Sequence, residues 1–592
     1  MTRDACGRGL TRRWLPAKGT TESSANSTRG IGLAARIFAC RGLGDEASAR
    51  AFLEPTLTQL HSPDLLPNSA RAAERLLSAV DAGEPVAIYG DYDVDGVAAT
   101  AILYHTLRAL APAADLRTYV PHRMDEGYGL NEAAIRSLAA EGARVIVSVD
   151  CGVTAIGPAR AARDAGVDLI ITDHHNPPAG ELPDAYAIVH PRLPGSGYPF
   201  PELSGAGVAF KLAWKLATVR AGSSRVPAEV RSLLVELLAF AALGTIADIV
   251  PLLGENRVIA RHGLARIKHS PLPGIRPLVE ASGLAGDDID SEHVGFTLGP
   301  RLNACGRLGH AREAVELFTT ATGARATEIA KGLSALNTRR RAIERQIADS
   351  AAGLAEAAGM AADGCRAIVL AHADWHVGVI GIACSRLVDR FGRPTILMQD
   401  AEGFCKGSGR SIAGFSLHAA LHECADVLDS FGGHDMAAGL RLRSDRLPEF
   451  VDRFTRVANE RIGSDDMVAS LCYDTDAALH ELSAPAIIEL DRLAPFGMSN
   501  PRPRVRLRGL TLTESPRPLG TTGKHVALMV ADGHQRLRLV GWNWADHAAA
   551  LGAGAHIEAI ISPKVETWAG RTRVEGVIED IMLESSTPIA VS

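Results

Sequence analysis

Aromatic residues make up only 5% of this 592-residue chain, no two of its nine cysteines are spaced C-x-x-C, and there is no basic excess, the formal net charge being −6. Each shortage excludes something. Scattered cysteines of odd number fit neither a disulfide framework nor a structural zinc module, so a reducing cytoplasm is the expected compartment. A slightly acidic chain has no global attraction for a polyanion, and any nucleic-acid site has to be a local basic groove. Long uninterrupted apolar runs are missing too: the most apolar stretch, residues 233–253, is broken by Glu236 and Asp248 and closed by Pro251. It reads as a buried helix and loop, not a membrane span. Arg3, Arg8, Arg12 and Arg13 have no apolar run behind them, and residues 19–28 are rich in Ser, Thr and Gly. No export signal is expected, and residues 1–33 are expected to form a flexible tail.

What remains is an ordinary globular composition, 46% hydrophobic and 22% charged, long enough for three or four domains at the usual size. Residues 34–85 read as short amphipathic helices capping the domain that follows. The organising stretch is residues 86–96, VAIYGDYDVDG, where an apolar strand delivers Asp91, Asp93 and Asp95 into a glycine-bounded loop. An Ala-rich helix is expected over residues 97–110. Strands at 86–89, 116–120, 145–149 and 169–172, separated by helical patterns, predict a doubly wound parallel α/β sheet. Asp91 follows the first of these strands, Asp150 the third, and Asp173, His174 and His175 the fourth. Right-handed crossovers put strand carboxyl ends on one edge, so these groups converge there, with Asp248 leaving a long buried helix as a further candidate. A lone Asp after a strand is often a helix cap and a lone His-His pair a surface pair. Several uncompensated acids at one edge would be costly, and a dinuclear metal site explains them together. Mixed Asp and His ligation favours Mn²⁺, with Mg²⁺ able to substitute where carboxylates dominate.

DYDVDG, the Asp150-Cys-Gly loop and Asp173-His174-His175 resemble the successive motifs of the DHH superfamily of phosphoesterases. PHR at residues 121–123, EGYGL at 126–130, GTIADIVPLLGENR at 244–257 and GPRLNACGRLG at 299–309 resemble the RecJ-type single-strand exonucleases in particular. Three later blocks, WHVGVIGI at 375–382, KGSGRS at 406–411 and GGHDMAAG at 432–439, are similar to the DHH-associated domain of that family. The resemblance implies Asp91, Asp93, Asp95, Asp150, His174 and Asp248 as ligands of two Mn²⁺ ions, with Asp150 bridging. It places His175 at the scissile phosphate and Asp173 behind it, orienting the histidine loop. In related pyrophosphatases a histidine stands where Tyr89 falls, so one ligand set must differ, and Asp91 is the candidate to fill it. Phosphate or DNA contacts are implied at Arg123, Arg301, Asn303, Arg307, His376, Lys406, Ser408, Arg410, Ser411 and His434. The implied activity is 5′ to 3′ hydrolysis of single-stranded DNA to 5′ mononucleotides, in recombination and repair. A single-strand-binding protein and a helicase are the implied partners, with no membrane and a monomeric chain. The alternative is a DHH phosphodiesterase acting on short oligonucleotides or cyclic dinucleotides.

From residue 326 to 354 apolar positions recur at helical spacing, which predicts one long connecting helix within residues 311–362. Arg339, Arg340 and Arg341 on it read as a solvated face, with contact to a DNA backbone as the alternative. A second α/β domain is expected over 363–462, after a catalytic domain over 34–310. Its Gly-rich blocks read as loops whose amides, with Lys406, Arg410 and His434, suit an anion. Short alternating runs at 505–512, 525–530, 536–542, 555–562 and 571–582 predict an OB-type barrel within 463–592. Arg502, Arg504, Arg506 and Arg508 alternate, so an extended chain puts them on one face beside Trp542 and Trp544, as a single-strand-binding stripe.

Overall fold

The structure, a computed structural model, describes residues 7–17, 31–568 and 571–584. Residues 1–6 and 18–30 of the expected tail lie outside the described residues. Residues 7–17 are no tail. Strand β1 (Arg13–Pro16) pairs in parallel with Ser470–Tyr473, and Trp14 is buried. The carboxylate of Asp580 accepts hydrogen bonds from Trp14 Nε1 at 2.8 Å, Thr11 Oγ1 at 2.9 Å and the Arg12 and Thr11 amides at 3.0 and 3.1 Å. Four donors directed at one buried acid hold this segment in place, an arrangement that sequence patterning does not display.

The chain forms two compact units, one of Glu54–Ala342 with Pro495–Pro501, the other of the described parts of Met1–Leu53, Ile343–Ala494 and Arg502–Ser592. In the first, β2 (Val86–Gly90), β3 (Leu116–Tyr119), β4 (Val145–Val149), β5 (Asp168–Thr172) and β6 (Ala187–Val189) form a parallel sheet in the order β3-β2-β4-β5-β6. The first four strands fall where the apolar runs predict them; β6, at three residues, is too short to show a period. Val86, Ile88, Val145 and Val147 point into one core and Ala87, Tyr89, Ile146 and Ile171 into another on the opposite face. Burial on both faces is why these strands read as continuous apolar runs.

The larger core is completed by α1 (Val94–Leu110), α2 (Gly205–Ala221), α3 (Ala228–Ala247) and α4 (Gly254–Ile267). By length and composition α3 could cross a membrane. Its Leu237, Leu238, Phe240 and Leu243 are instead buried in this core, each contributing about 1.5–3 kcal/mol through removal from water. The sheet order reverses between β2 and β4, so a crevice opens at their carboxyl ends. After α5 (Gly299–Leu308), the helix Arg312–Thr319 packs on α1. The connecting helix α6 is Gly323–Ala357, covering the 326–354 periodicity within the expected 311–362 segment, whose residues 312–319 form a separate helix on the catalytic core.

In the second unit β7 (Ile368–His372), β8 (Thr395–Ala401), β9 (Phe404–Arg410), β10 (Ser430–Gly433) and β11 (Ala437–Arg443) form a mixed sheet in the order β10-β11-β9-β8-β7, with α7 (Val377–Phe391) against β8 and β9. β12 (Ser470–Tyr473) carries β1. Then β13 (Thr475–Ala477), β14 (Val505–Leu512), β15 (Arg517–Leu519), β16 (His525–Ala531), β17 (Arg536–Gly541), β18 (His556–Trp568) and β19 (Arg571–Leu583) form the last sheet. Pairing of β14 with both β18 and β16 closes it into a barrel, as the five alternating runs predict. The helix Leu33–Cys40 belongs to this unit and not to the catalytic domain expected from residue 34. Arg36 binds Glu481 at 2.7 Å and Arg41 binds Asp474 at 2.8 Å.

Asp580→Ala would leave the buried Trp14 donor and the half-buried 11–12 amides without their acceptor, and is expected to destabilise the barrel-bearing unit by about 2–4 kcal/mol. Chemical denaturation followed by tryptophan fluorescence reads this as a lower midpoint.

Candidate metal centre and nucleic-acid contacts

The loop after β2 is shorter than the sequence suggests, because α1 begins inside it. Asp93 is the N-cap, its Oδ1 accepting from the Asp95 and Gly96 amides at 2.9 and 3.1 Å, and Asp95 sits in the first helical turn. Asp95 is fully buried, and its two oxygens accept from the Gly205 amide at 2.6 Å and the Ala206 amide at 3.0 Å, at the start of α2. A helix N-terminus is a favourable place for a carboxylate. Glycine is required beside it: a Cβ at Gly244 would lie 2.3 Å from Asp95 Oδ1, and one at Gly205 would lie 2.4 Å from Asp150 Oδ1. Asp150 follows β4 with a left-handed backbone, φ 62°, and Asp248 caps the carboxyl end of α3.

These elements bring His174 Nε2 within 3.2 Å of Asp150 Oδ1, 3.5 Å of Asp248 Oδ2 and 3.9 Å of Asp95 Oδ2. Ligand atoms of Asp91, Asp93 and Asp150 lie within 4.8 Å of one another, as do those of Asp95, His174 and Asp248, and those of Asp150, His174 and His175. Burial first, and the neighbouring carboxylates second, push Asp95 up to about 7 and Asp248 up to about 9. Asp91 and Asp150 are raised well above the carboxylate range by the same causes. Burial and the neighbouring His175 push the His174 imidazole down to about 3, so it is neutral and has a lone pair to give. Asp91 Oδ1, Asp150 Oδ1 and His174 Nε2 are buried and make no hydrogen bond. Oxygen donors with one neutral imidazole, three atoms of them buried and unengaged, fit divalent cations such as Mn²⁺ and Mg²⁺.

Asp173 is placed differently. Its Oδ1 accepts from the His174 amide at 2.7 Å, the His175 amide at 3.1 Å and His175 Nδ1 at 2.8 Å, and its Oδ2 accepts from the Val153 amide at 2.9 Å. Burial opposes its charge, but these donors hold its carboxyl well below the usual range. Asp173 therefore fixes the histidine loop. Burial works against a charge on His175 as well, yet the Asp173 carboxylate raises its pKa overall. The Tyr89 hydroxyl donates to the Gly129 carbonyl at 3.0 Å, fastening the turn that carries Tyr128.

Several implied contact residues turn out to be engaged elsewhere. Asn303 Oδ1 accepts from the Val94 amide at 3.1 Å, supporting the start of α1. Arg301 donates to Thr297 O at 2.6 Å and Ser334 Oγ at 3.1 Å, tying α5 to α6. Arg123 stands 4.7 Å over the Tyr92 ring; burial first, then Asp91, raises that tyrosine's pKa, and the charges of Arg123 and Arg307 oppose the rise, which places both beside the acid loop.

In the second unit the first Gly-rich block lies on strand β9, and the second is the β10-β11 hairpin with its turn at 434–436. β9 is paired on both sides, so the amides of 406–410 serve the ladder and not an anion. Lys406, Ser408 and Arg410 share one face of β9. A Cβ at Gly381 of α7 would lie 2.9 Å from Ser408 Oγ and 3.1 Å from Arg410 Nη2, and His376 caps that helix. Arg441 lies opposite Lys406 in the register and was invisible while residues 432–439 read as a loop. His434 closes the β10-β11 turn through its amide. Ser411 is buried, and its hydroxyl donates to Phe415 O at 2.7 Å, so it leaves the set of anion contacts.

The barrel arginines are not a free stripe. Arg506 makes a bidentate pair with Asp476 at 2.7 and 3.0 Å, Arg508 reaches the same carboxylate at 3.1 Å, and Arg504 reaches Glu579 at 3.4 Å. Arg502 precedes the strand, and Asp491 feels its charge. Carboxylates brought in by β13 and β19 neutralise a face that the sequence showed only as alternating arginine. Trp544 is buried, which removes it as a stacking platform, while Trp542 is exposed.

Two side chains at the site were not anticipated. The Tyr128 hydroxyl lies 3.1 Å from both ring nitrogens of His175, and the two rings meet edge to face with their planes 67° apart. Burial of its hydroxyl end, with Asp150 next, raises its pKa far above the ordinary value. His190 Nδ1 accepts from the Arg192 amide at 2.9 Å, which leaves Nε2 to donate to the His175 carbonyl at 2.7 Å. The only sequence signal for His190 was its place after β6, which was itself unseen.

Family models match in the order of these domains: the DHH family N-terminal domain over residues 85–245, the DHHA1 domain over 364–460 and the RecJ OB domain over 473–580. The single-stranded-DNA-specific exonuclease RecJ of Bacillus subtilis (strain 168) is 38% identical over 93% of this chain and 67% of its own length. That of Salmonella typhimurium is 33% identical over 92% of this chain and 95% of its own length. The crystal structure of RecJ in complex with Mn²⁺ from Thermus thermophilus superimposes with a TM-score of 0.78 at 31% identity, covering 96% of this chain and 78% of that one. Likeness of this extent, in sequence and in fold, with the acids gathered at the sheet's switch point, means that the chain belongs to the RecJ family of DHH phosphoesterases.

Proposed function

We propose that this chain is a metal-dependent exonuclease that hydrolyses single-stranded DNA from its 5′ end and releases 5′ mononucleotides in recombination and repair. The observation that carries the reading is the set of buried, unengaged ligand atoms on Asp91, Asp150 and His174 at the sheet edge of a RecJ-family chain. Asp91, Asp93 and Asp150 would hold one divalent ion and Asp95, His174 and Asp248 the other, Asp150 being near enough to His174 to serve both groups. When bound, such ions lower the pKa of water at the site and neutralise charge on the phosphoryl oxygens.

The chain's own residues do the rest. Asp173 accepts from Nδ1 of His175, which fixes the ring and leaves Nε2 as the nitrogen that faces a phosphate oxygen. Tyr128 packs edge to face against that ring. Arg123 and Arg307 add positive charge beside the acid loop. For the 5′ phosphate, the reading uses Ser408 and Arg410 near the start of α7, with Lys406 and Arg441 along the same sheet face. A monomer in the cytoplasm, working with a single-strand-binding protein and a helicase, belongs to the same reading.

Oligonucleotides labelled at the 5′ or the 3′ end, digested with Mn²⁺ and with EDTA, test it. Immediate release of a labelled 5′ mononucleotide, with the 3′ label retained on long products, is expected. Cleavage restricted to cyclic dinucleotides or to fragments of about two to five nucleotides would move the chain to the phosphodiesterase class.

Asp150→Asn keeps a side chain that tolerates the left-handed backbone and removes one crowded carboxylate. In EDTA its melting temperature is expected to rise by a few degrees; with Mn²⁺ it is expected to gain no stabilisation and to show no hydrolysis. His174→Ala is likewise expected to abolish hydrolysis with an unchanged circular dichroism spectrum.

A further inference from the structure

Next to the ligand Asp248 stands a residue for which the fold offers no structural reason. Ile249 has φ 63° at the first position beyond the cap of α3, where glycine is favoured because it lacks a Cβ. A β-branched side chain rarely adopts this conformation. Among the described non-glycine residues with positive φ, which are Asn68, Asp150, Ile249, Glu402, Ser499 and Asn543, Ile249 is the only β-branched one. Packing does not compensate, because Ile249 is 62% exposed. Glycine or asparagine would make the same turn with less strain, so the apolar side chain is retained for something absent from the folded chain itself.

The surroundings point to the same conclusion. The segment Val294–Leu298 is a π-helical turn, a rare form frequently found at functional sites, and its Phe296 is 83% exposed. That turn leads directly into Gly299, where a Cβ would lie 3.6 Å from Ala247 Cβ and 3.9 Å from Val94 Cγ2, beside both ligand-bearing elements. On the other flank the Leu252 amide donates to the carbonyl of Met498, itself an exposed apolar residue, at 2.9 Å. Exposed apolar groups thus stand on three segments bordering Asp248, next to a centre that attracts phosphate.

We propose that Ile249 is a substrate-contacting residue, its side chain packing against the base of the nucleotide whose phosphodiester lies at the metal centre. The inference rests on the single-strand nuclease reading and assigns the contact that positions the base, which the acids cannot make. Ile249 strains the backbone to present an apolar face one residue from a ligand, and a base supplies the apolar surface that covers it.

Ile249→Gly, Ile249→Asn and Ile249→Val test the assignment on full-length protein, with melting temperature, kcat and KM for single-stranded DNA as readouts. The Gly and Asn variants are expected to melt at or above the wild-type temperature, because strain is released. They are expected to raise KM about fivefold, from the lost apolar contact, with kcat nearly unchanged, while Val retains the wild-type KM. On an oligonucleotide with an abasic residue at the cleaved position, wild type and Gly variant should have equal KM. An unchanged KM in the Gly variant, a fall in kcat at constant KM, or a KM difference that persists on the abasic substrate would each overturn the assignment. If the wild-type protein fails to cleave single-stranded DNA, the functional reading falls, and this inference with it.

Discussion

Carboxylates held out of water at one edge of a parallel sheet are the constraint on which the rest of the first unit depends. Asp95 and Asp150 are almost wholly buried, and Asp91 and Asp248 press against them electrostatically. Like charges in a region of low dielectric are tolerated only where fixed dipoles or a cation offset them. The protein supplies part of the offset: two amides at the start of α2 for Asp95, the first turn of α1 for Asp93, and the amides at 153, 174 and 175 for Asp173. It leaves oxygens of Asp91 and Asp150 without a donor. Part of the cluster's charge is therefore not offset by the polypeptide itself.

Maintaining such a cluster requires rigid supports, and the fold places them next to it. β2 and β4 flank the switch point and are buried on both faces, so their carboxyl ends cannot drift. α2 and α3 pack on α1 in one continuous core, which fixes the amides of 205–206 and the end of α3 relative to Asp95. Behind the Asp248 loop, Asn256 Nδ2 donates to the Pro251 carbonyl, and Lys211 pairs with Glu255 at 2.5 Å in full burial. A buried pair of this kind adds little net stability but is costly to break on one side, which suits it to holding two helices in register.

How much of this was legible in the chain follows from the range of each interaction. The strand-loop-helix rhythm and the alternating barrel runs are local patterns, and the sheet and barrel appear where those patterns lie. The acids could be read because topology, not contact detail, sends strand ends to one edge. What stayed hidden depends on partners distant in sequence. Alternation put Arg504, Arg506 and Arg508 on one face, but nothing local revealed that Asp476 and Glu579 would meet them. Glycine richness in 406–411 and 432–439 resembled loops because strands packed against a helix and a hairpin need small residues for close approach. Residues 7–17 looked like a tail because their acceptor, Asp580, lies at the other end of the chain. Tyr128 and His190 act through the ring and carbonyl of His175, and neither contact has a sequence period.

One two-ion centre and a set of separately solvated caps would take up Mn²⁺ differently. Titration of the metal-free protein with Mn²⁺, followed by electron paramagnetic resonance, tells the two apart. For the shared centre two ions are expected per chain, with a spectrum broadened by magnetic coupling as the second ion enters. Saturation at a single ion per chain, or two ions with independent uncoupled spectra, would contradict it.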